Sequence, residues 1–107
     1  MTQTLNAVKA LIAAGDVCIS EHGYDELADD DLTVREIIQG IDAAVVVEDY
    51  PKYPKGPCVL VLQSDAHGDP VHIVWGIPRG SSSPAVLITA YRPDPARWNS
   101  SFTGRKQ

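Results

Sequence analysis

Four segments rich in β-branched residues most constrain what this chain can fold into. They span residues 43–50, 58–65, 70–78 and 85–93, and the connectors between them are short and rich in Gly, Pro, Asp and Ser. The segments favour strands and the connectors favour turns. Parallel neighbours would need crossovers of a dozen residues or more. The sequence therefore predicts a four-stranded antiparallel β-meander.

The residues before this region predict helices. Apolar residues recur at helical spacing up to residue 41, Ser20 is placed to cap a helix that begins at Glu21, and Thr33 and Glu36 have the spacing of a capping box. N-terminal helices followed by strands are typical of an α+β fold, with the helices packed on one face of the sheet. A chain of 107 residues predicts a single domain over 1–107. The tail from Asp94 is expected to add one helical turn and then fray, with Trp98 buried as an anchor.

The charge is unevenly distributed. The first fifty residues carry eleven acids against Lys9 and Arg35, a balance of −9, whereas the rest carries three acids against seven bases, a balance of +4. An acidic whole argues against indiscriminate nucleic-acid binding, but the basic second half leaves room for one anionic ligand. No apolar run is long enough to span a membrane, and the first residues do not resemble a secretion signal, so a cytoplasmic protein is expected. No metal site or other cofactor is expected, because no ligand spacing of that kind occurs.

Alternation along the last two strands brings polar side chains together. Val71, Ile73 and Trp75 share one face, which leaves His72 on the other. In the next strand we expect a core set and an opposite set: Val86, Ile88 and Ala90 against Leu87, Thr89 and Tyr91.

His72, Thr89 and Tyr91 are then expected on the sheet face that points away from the helices. Arg79, in the connecting loop, and Arg92, at the end of the last strand, would flank them. A histidine, hydroxyls and guanidinium groups suit the recognition of phosphate or carboxylate. The alternative is the ordinary half-polar face of an antiparallel sheet.

His22 lies in the first turn of the second predicted helix. The helix dipole disfavours its cationic form, whereas Asp25 and Glu26 favour that form, so its protonation state stays open. As a structural residue it would bond backbone at the junction of helix and sheet. As a functional residue it would act as a general acid or base. The residue pattern favours the structural role.

Several stretches resemble one family. "ISEHGYDEL", "LTVREIIQGI", "EDYPKYPKGPCVLVL", "PVHIVWGIP" and "AVLITAYRPDPARW" are similar to the bacterial domain of unknown function 4258, over nearly the whole chain. The family's helix histidine corresponds to His22, its strand histidine to His72, and its threonine and tyrosine to Thr89 and Tyr91. The resemblance implies a fold like that of RelE and BrnT ribonuclease toxins, which are often encoded beside small antitoxin-like proteins. Glu26 departs from the pattern, because many members have arginine there.

Two functional hypotheses follow. In the first, the protein is a metal-independent endoribonuclease of toxin type, or a degenerate relative of one, which acts on RNA. Its catalytic residues would be His22, His72 and Tyr91, and its substrate-binding residues would be Thr89, Arg92 and Arg79. In the alternative, it is a non-catalytic interaction module that binds a small antitoxin-like partner encoded nearby, through the polar sheet face or by adding a strand at a sheet edge.

Overall fold

The computed structural model describes residues 2–106 and has a mixed α+β architecture, as the sequence predicts. The elements in chain order are α1 (Gln3–Ala13), β1 (Val17–Ile19), α2 (Glu21–Asp29), α3 (Val34–Gln39), a 3-10 turn (Ile41–Ala43), β2 (Val45–Tyr50), β3 (Cys58–Ser64), β4 (Pro70–Gly76) and β5 (Ala85–Tyr91). They form one sheet with the strand order β1-β5-β4-β3-β2. Within the described range no helix combines the length and the apolar character needed to cross a bilayer.

The sheet has five strands, so the predicted count of four is wrong. Strands β2 to β5 pair in antiparallel fashion with their neighbours in the chain. The extra strand, β1, pairs in parallel with β5. Three residues between two helices are too short to show a strand period, and their partners lie far along the chain. The sheet is therefore mixed and open.

The predicted helix starts are capped as expected. The Ser20 hydroxyl accepts from the backbone N–H of Gly23, and Thr33 and Glu36 form a reciprocal capping box. Each cap satisfies backbone groups that the first turn of a helix leaves without partners. The helices bury their apolar sides on one face of the sheet, and the core includes Leu5, Val8, Leu27, Ile37, Val59, Val61, Ile73, Trp75 and Leu87.

A β-bulge at Ile88 overturns part of the predicted alternation in β5. Ala90 and Thr89 pair with consecutive residues of β4, but the next pair is Leu87 with Trp75, so Ile88 is the extra residue. Leu87 is consequently fully buried, while Ile88 is 38% exposed. The prediction that Val86 and Ile88 belong to the core was wrong, because one inserted residue inverts the side-chain alternation beyond it.

The tail folds back as a tight hairpin. One turn follows Asp94, and the tail then doubles back, with the Asn99 N–H donating to Gly104 O at 2.8 Å and the Lys106 N–H to Arg97 O at 2.9 Å. Trp98 is buried, as predicted, and forms an isolated bridge with Arg105. The expected fraying was wrong, because the anchored ring and these hydrogen bonds hold the segment against the sheet.

Candidate functional site

His72 is fully buried on the sheet face opposite the helices. It lies directly across from Tyr91 in the β4–β5 register. Its Nε2 is 2.8 Å from the carbonyl oxygen of Phe102, and its Nδ1 is 3.1 Å from the Tyr91 hydroxyl. A carbonyl oxygen can only accept, so Nε2 carries the proton. In the neutral ring Nδ1 then accepts the hydrogen bond that Tyr91 donates.

The surroundings keep both partners uncharged. The His72 ring packs edge-on against Trp98, with the ring centroids 4.4 Å apart. Burial lowers the pKa of His72, against an opposing effect of its bond to Phe102. Burial also raises the pKa of Tyr91. The pair is thus a neutral imidazole that holds the hydroxyl of a neutral phenol, whose oxygen keeps lone pairs for another donor.

Tyr91 borders a cleft of about 240 Å³, which we call the arginine cleft. It is lined by Tyr91, Arg92, Asp94, Arg97, Trp98 and Arg105. Three guanidinium groups therefore meet one carboxylate in this lining. Guanidinium groups at such density favour a phosphate or carboxylate ligand, because their N–H groups bond its oxygens in pairs.

Arg92 is fixed from both sides. Its Nη1 is 2.9 Å from Oδ2 of the buried Asp65, and its Nη2 donates to the backbone oxygen of Asp30 at 3.2 Å. Backbone hydrogen bonds from the turn after β3, followed by Arg92, lower the pKa of Asp65. The aspartate is therefore ionised, and it holds the guanidinium in one orientation at the end of β5.

Arg105 is anchored in a similar way. Its Nε and Nη2 reach the two carboxylate oxygens of Glu48 at 3.2 Å, and its guanidinium lies 4.7 Å from the centre of the Trp98 ring. The Arg105 bond lowers the pKa of Glu48, and Tyr50, which donates to the same carboxylate, adds to that effect. Arg97 differs, because its side chain has no hydrogen bond or ion pair within residues 2–106. It is the guanidinium most available to a ligand.

The structure does not unite all the predicted site residues. Thr89 shares the face of His72 and pairs with Val74, but it does not line the arginine cleft. Arg79 lies beyond the opposite end of β4, where its Nη1 is 3.4 Å from the oxygen of Pro54. Arg79 and Arg92 flank the two ends of the strand pair and cannot clamp one phosphate together.

His22 is also outside the cleft. Its side chain is 66% exposed and its Nε2 lies 3.1 Å from Glu26. The expected role at the helix–sheet junction was wrong. Ser20 fills it instead, because its hydroxyl donates to the Ile88 oxygen at 2.9 Å and its N–H donates to the Leu87 oxygen. Among residues 2–106, His22 and His72 share no hydrogen-bond, ion-pair or ring partner.

Sequence reasoning missed several members of the site. Arg97 directly precedes Trp98, and the predicted burial of Trp98 could have indicated that Arg97 lies near the sheet. Arg105, Glu48 and the Phe102 carbonyl had no such signal, because only the folded tail brings them to the sheet. Among residues 2–106 no group of three or more His, Cys, Asp or Glu side chains is arranged to hold a metal ion.

Comparison with known proteins gives one match. A family model described as a domain of unknown function (DUF4258) matches residues 19–92. No curated protein and no solved structure matches the chain. The matched range contains His72, Tyr91 and Arg92, and it ends before the tail that supplies Arg97 and Arg105.

Proposed function

The chain belongs to the DUF4258 family of domains of unknown function, and we propose that its arginine cleft is the active site of a metal-independent endoribonuclease. One observation carries the proposal. The Tyr91 hydroxyl is hydrogen-bonded to the buried His72 and borders a cleft lined by three arginines. A fold relationship to the RelE and BrnT toxins, a bacterial cytoplasmic location and a small antitoxin-like partner belong to the same proposal.

The guanidinium groups bind the scissile phosphodiester. Arg97 is available to form paired bonds with its oxygens, while Arg92 and Arg105 are preset by their carboxylates. Two of the three cations are already partly neutralised, and the whole protein carries a net charge of −5. The cleft therefore suits one phosphodiester in an RNA strand rather than a long stretch of backbone.

RNA supplies its own nucleophile, the 2′-hydroxyl. This hydroxyl gives its proton to the Tyr91 oxygen as the proton of Tyr91 passes to Nδ1 of His72. The 2′-oxygen bonds to phosphorus, and the bond from phosphorus to the 5′-oxygen breaks. That oxygen takes a proton from a solvent water, and the hydroxide left behind is neutralised as the His72 imidazolium returns its extra proton through Tyr91. The products are a 2′,3′-cyclic phosphate and a 5′-hydroxyl. General-base assistance of this kind contributes about 10²–10⁴-fold, and preset charge stabilisation a further 10²–10³-fold or so.

The two members of the relay have different roles. Tyr91 is half-buried and borders the cleft, so it touches the substrate. His72 is fully buried and reaches the substrate only through Tyr91, so it is a positioning residue and the proton acceptor of Tyr91. The imidazolium that forms keeps its bond to the Phe102 carbonyl. His22, Thr89 and Arg79 have no role in this proposal.

Cleavage of a fluorescent single-stranded RNA in the presence of EDTA tests the proposal. We expect a 2′,3′-cyclic phosphate product from RNA and none from the 2′-deoxy strand. Tyr91→Phe keeps the ring, and Arg97→Ala removes a side chain that has no hydrogen bond or ion pair in the described part of the chain. Each variant should therefore remain folded and lose about 10²-fold in rate. Arg35→Ala, an exposed arginine on α3, should cleave at the wild-type rate.

Circular dichroism and thermal unfolding serve as the folding controls for these variants. Intact RNA with the folded wild-type protein would overturn the proposal. So would wild-type cleavage by Tyr91→Phe.

A further inference from the structure

The outer sheet face carries a second cavity, at the end remote from the arginine cleft. This apolar groove has a volume of about 330 Å³, and its lining includes Tyr53, Gly76, Ile77, Val86 and Ile88. Such a volume is at the lower end of ligand sites, ~300–1,000 Å³, and holds a large side chain. Tyr53 is 50% exposed and Ile88 38% exposed. The groove is therefore open and apolar.

The groove is preformed. The loop before β3 is bonded to the loop after β4, because the Ile77 N–H donates to Pro57 O and the Arg79 N–H donates to Lys55 O, both at 3.0 Å. A Cβ at Gly56 would lie 2.1 Å from the oxygen of Ile77, so this close approach requires glycine. A Cβ at Gly76 would lie 2.7 Å from Cδ1 of Ile88 and would fill the floor. An occupant therefore meets a shape that is already set, which lowers the cost of binding.

The rim of the groove is positive. Lys55 lines the groove, and Lys52 and Arg79 line an adjoining depression that also includes Tyr53. Neither cavity has a carboxylate in its lining. The chain as a whole is acidic. The groove thus fits an apolar side chain that is flanked by carboxylates.

Helix α2 presents such a side chain. Tyr24 is 57% exposed, more than any other large hydrophobic residue between positions 2 and 106. Glu21 lies one turn before it on the same side of the helix, and Asp25 follows it directly. Neither acid has a hydrogen bond or ion pair to another part of the described chain. We propose that the apolar groove receives Tyr24 of a second copy of this chain, with Glu21 and Asp25 of that copy facing the positive rim.

Helix α2 and the apolar groove adjoin each other at Ile88. The Ser20 hydroxyl, which caps α2, donates to the oxygen of Ile88, and Ile88 itself lines the groove. In the proposed dimer, two copies related by a two-fold axis each offer a helix and accept one. The contact closes as a dimer, whereas a head-to-tail contact would continue to grow. The arginine cleft lies at the other end of β5 and stays open, so the inference does not depend on the proposed function.

Sedimentation velocity over a concentration series tests the dimer. We expect a reversible monomer–dimer equilibrium whose dissociation constant rises with salt, because the ions screen the facing charges. Ile88→Glu and Tyr24→Ala should each raise that constant about tenfold or more, since each removes one side of a central aromatic contact. Val45→Glu, on the outer edge of β2, places the same charge at a 49% exposed apolar position away from the groove and should leave the constant unchanged.

A charge exchange tests the orientation. Glu21→Lys with Asp25→Lys should weaken the dimer, and so should Lys52→Glu with Lys55→Glu. Combining the four changes should restore most of the affinity, because opposite charges again face each other. A monomer at every concentration would overturn the inference. A dimer whose dissociation constant is unchanged by Ile88→Glu would do the same. Ile88→Glu should cleave RNA at the wild-type rate. A failure of the proposed nuclease activity can therefore be distinguished from a failure of the proposed dimer.

Discussion

At the residue scale, two buried polar side chains, Gln63 and His72, are each held by two hydrogen-bond partners. Gln63 is buried, and its side-chain amide accepts from the Trp75 indole at 3.1 Å and donates to the Ile37 oxygen at 2.8 Å. His72 has the same kind of double engagement, with Tyr91 on one nitrogen and Phe102 on the other. A buried donor or acceptor left unpaired costs ~1–3 kcal/mol. These pairs therefore fix both tautomer and rotamer.

The depressed pKa of His72 predicts a pH-dependent stability. An unfolded chain protonates this histidine below about pH 6.5, whereas the folded protein, in which burial lowers the pKa, does so only at lower pH. The contribution of this difference in pKa to the free energy of unfolding is complete above pH 6.5. It is lost as the pH falls from 6.5 to the pKa of His72 in the folded protein. The free energy of unfolding should fall by at most about 1.4 kcal/mol per pH unit for this proton. Urea unfolding between pH 5 and 8 measures it.

His72→Phe should be less stable and should lack this slope, while His22→Gln should retain it. The lowered pKa values of Glu36 and Glu48 also make the free energy of unfolding fall as the pH falls. They do so only at more acidic pH, because the ordinary pKa of a glutamate is 4.5. An unchanged slope in His72→Phe would assign the pH dependence to another group.

At the scale of elements, irregular positions decide what each face presents. The bulge at Ile88 moves that side chain to the outer face and leaves Leu87 in the core. Because α2 is capped by Ser20 at this bulge, the irregularity also places the helix beside β5. Gly56 has a comparable effect in the loop before β3, where its φ of +123° allows this loop to bond the loop after β4. Both features shape the apolar groove.

Alanine at Gly56 should therefore be costly. The substitution forces a strained backbone angle and brings a Cβ to 2.1 Å from the Ile77 oxygen. We expect a loss of about 3 kcal/mol in the free energy of unfolding. Gly68→Ala is the matched control, because Gly68 also has positive φ, +83°, but nothing lies within 4 Å of its Cβ position. That control should cost only about 1 kcal/mol by urea unfolding, and equal losses would rule out the loop contact as the cause.

At the scale of the whole molecule, the tail completes the arginine cleft. The Trp98 ring packs against His72, the Phe102 carbonyl accepts a hydrogen bond from its Nε2, and Arg105 reaches across to Glu48 on β2. These contacts join the tail to two strands of the sheet, β4 through His72 and β2 through Glu48. The outer face of the sheet is thus divided between a covered end with guanidinium groups and an open apolar end.

Removal of the Trp98 ring should loosen the whole tail. Trp98→Ala deletes a buried aromatic side chain, and we expect the free energy of unfolding to fall by about 3 kcal/mol. The pKa of His72 should also rise toward its ordinary value, because burial no longer opposes its charge. Urea unfolding measures the first effect and NMR titration of the imidazole measures the second. Tyr53→Ala, at an exposed ring, should change neither quantity. An unchanged pKa of His72 in Trp98→Ala would show that the tail stays in place without the Trp98 ring.

Features that depend on nearby residues could be predicted from the sequence. Caps at Ser20 and Thr33, the four strands of the second half and the burial of Trp98 all follow from local patterns. His72 and Tyr91 were placed together correctly because β4 and β5 are joined by a short connection and pair directly. That placement survived the bulge, because Tyr91 and Thr89 lie on the far side of it.

Strand β1, the bulge and the arginine cleft depend on long-range contacts and are visible only in the tertiary structure. Strand β1 needs partners from the other end of the chain, and the bulge depends on how β5 packs between β4 and the first elements. The arginine cleft needs Arg97 and Arg105 from a folded tail and carboxylates from Glu48 and Asp65 to orient two of its guanidinium groups. No local pattern encodes these contacts, because each joins residues that are far apart along the chain and that only the complete fold brings together.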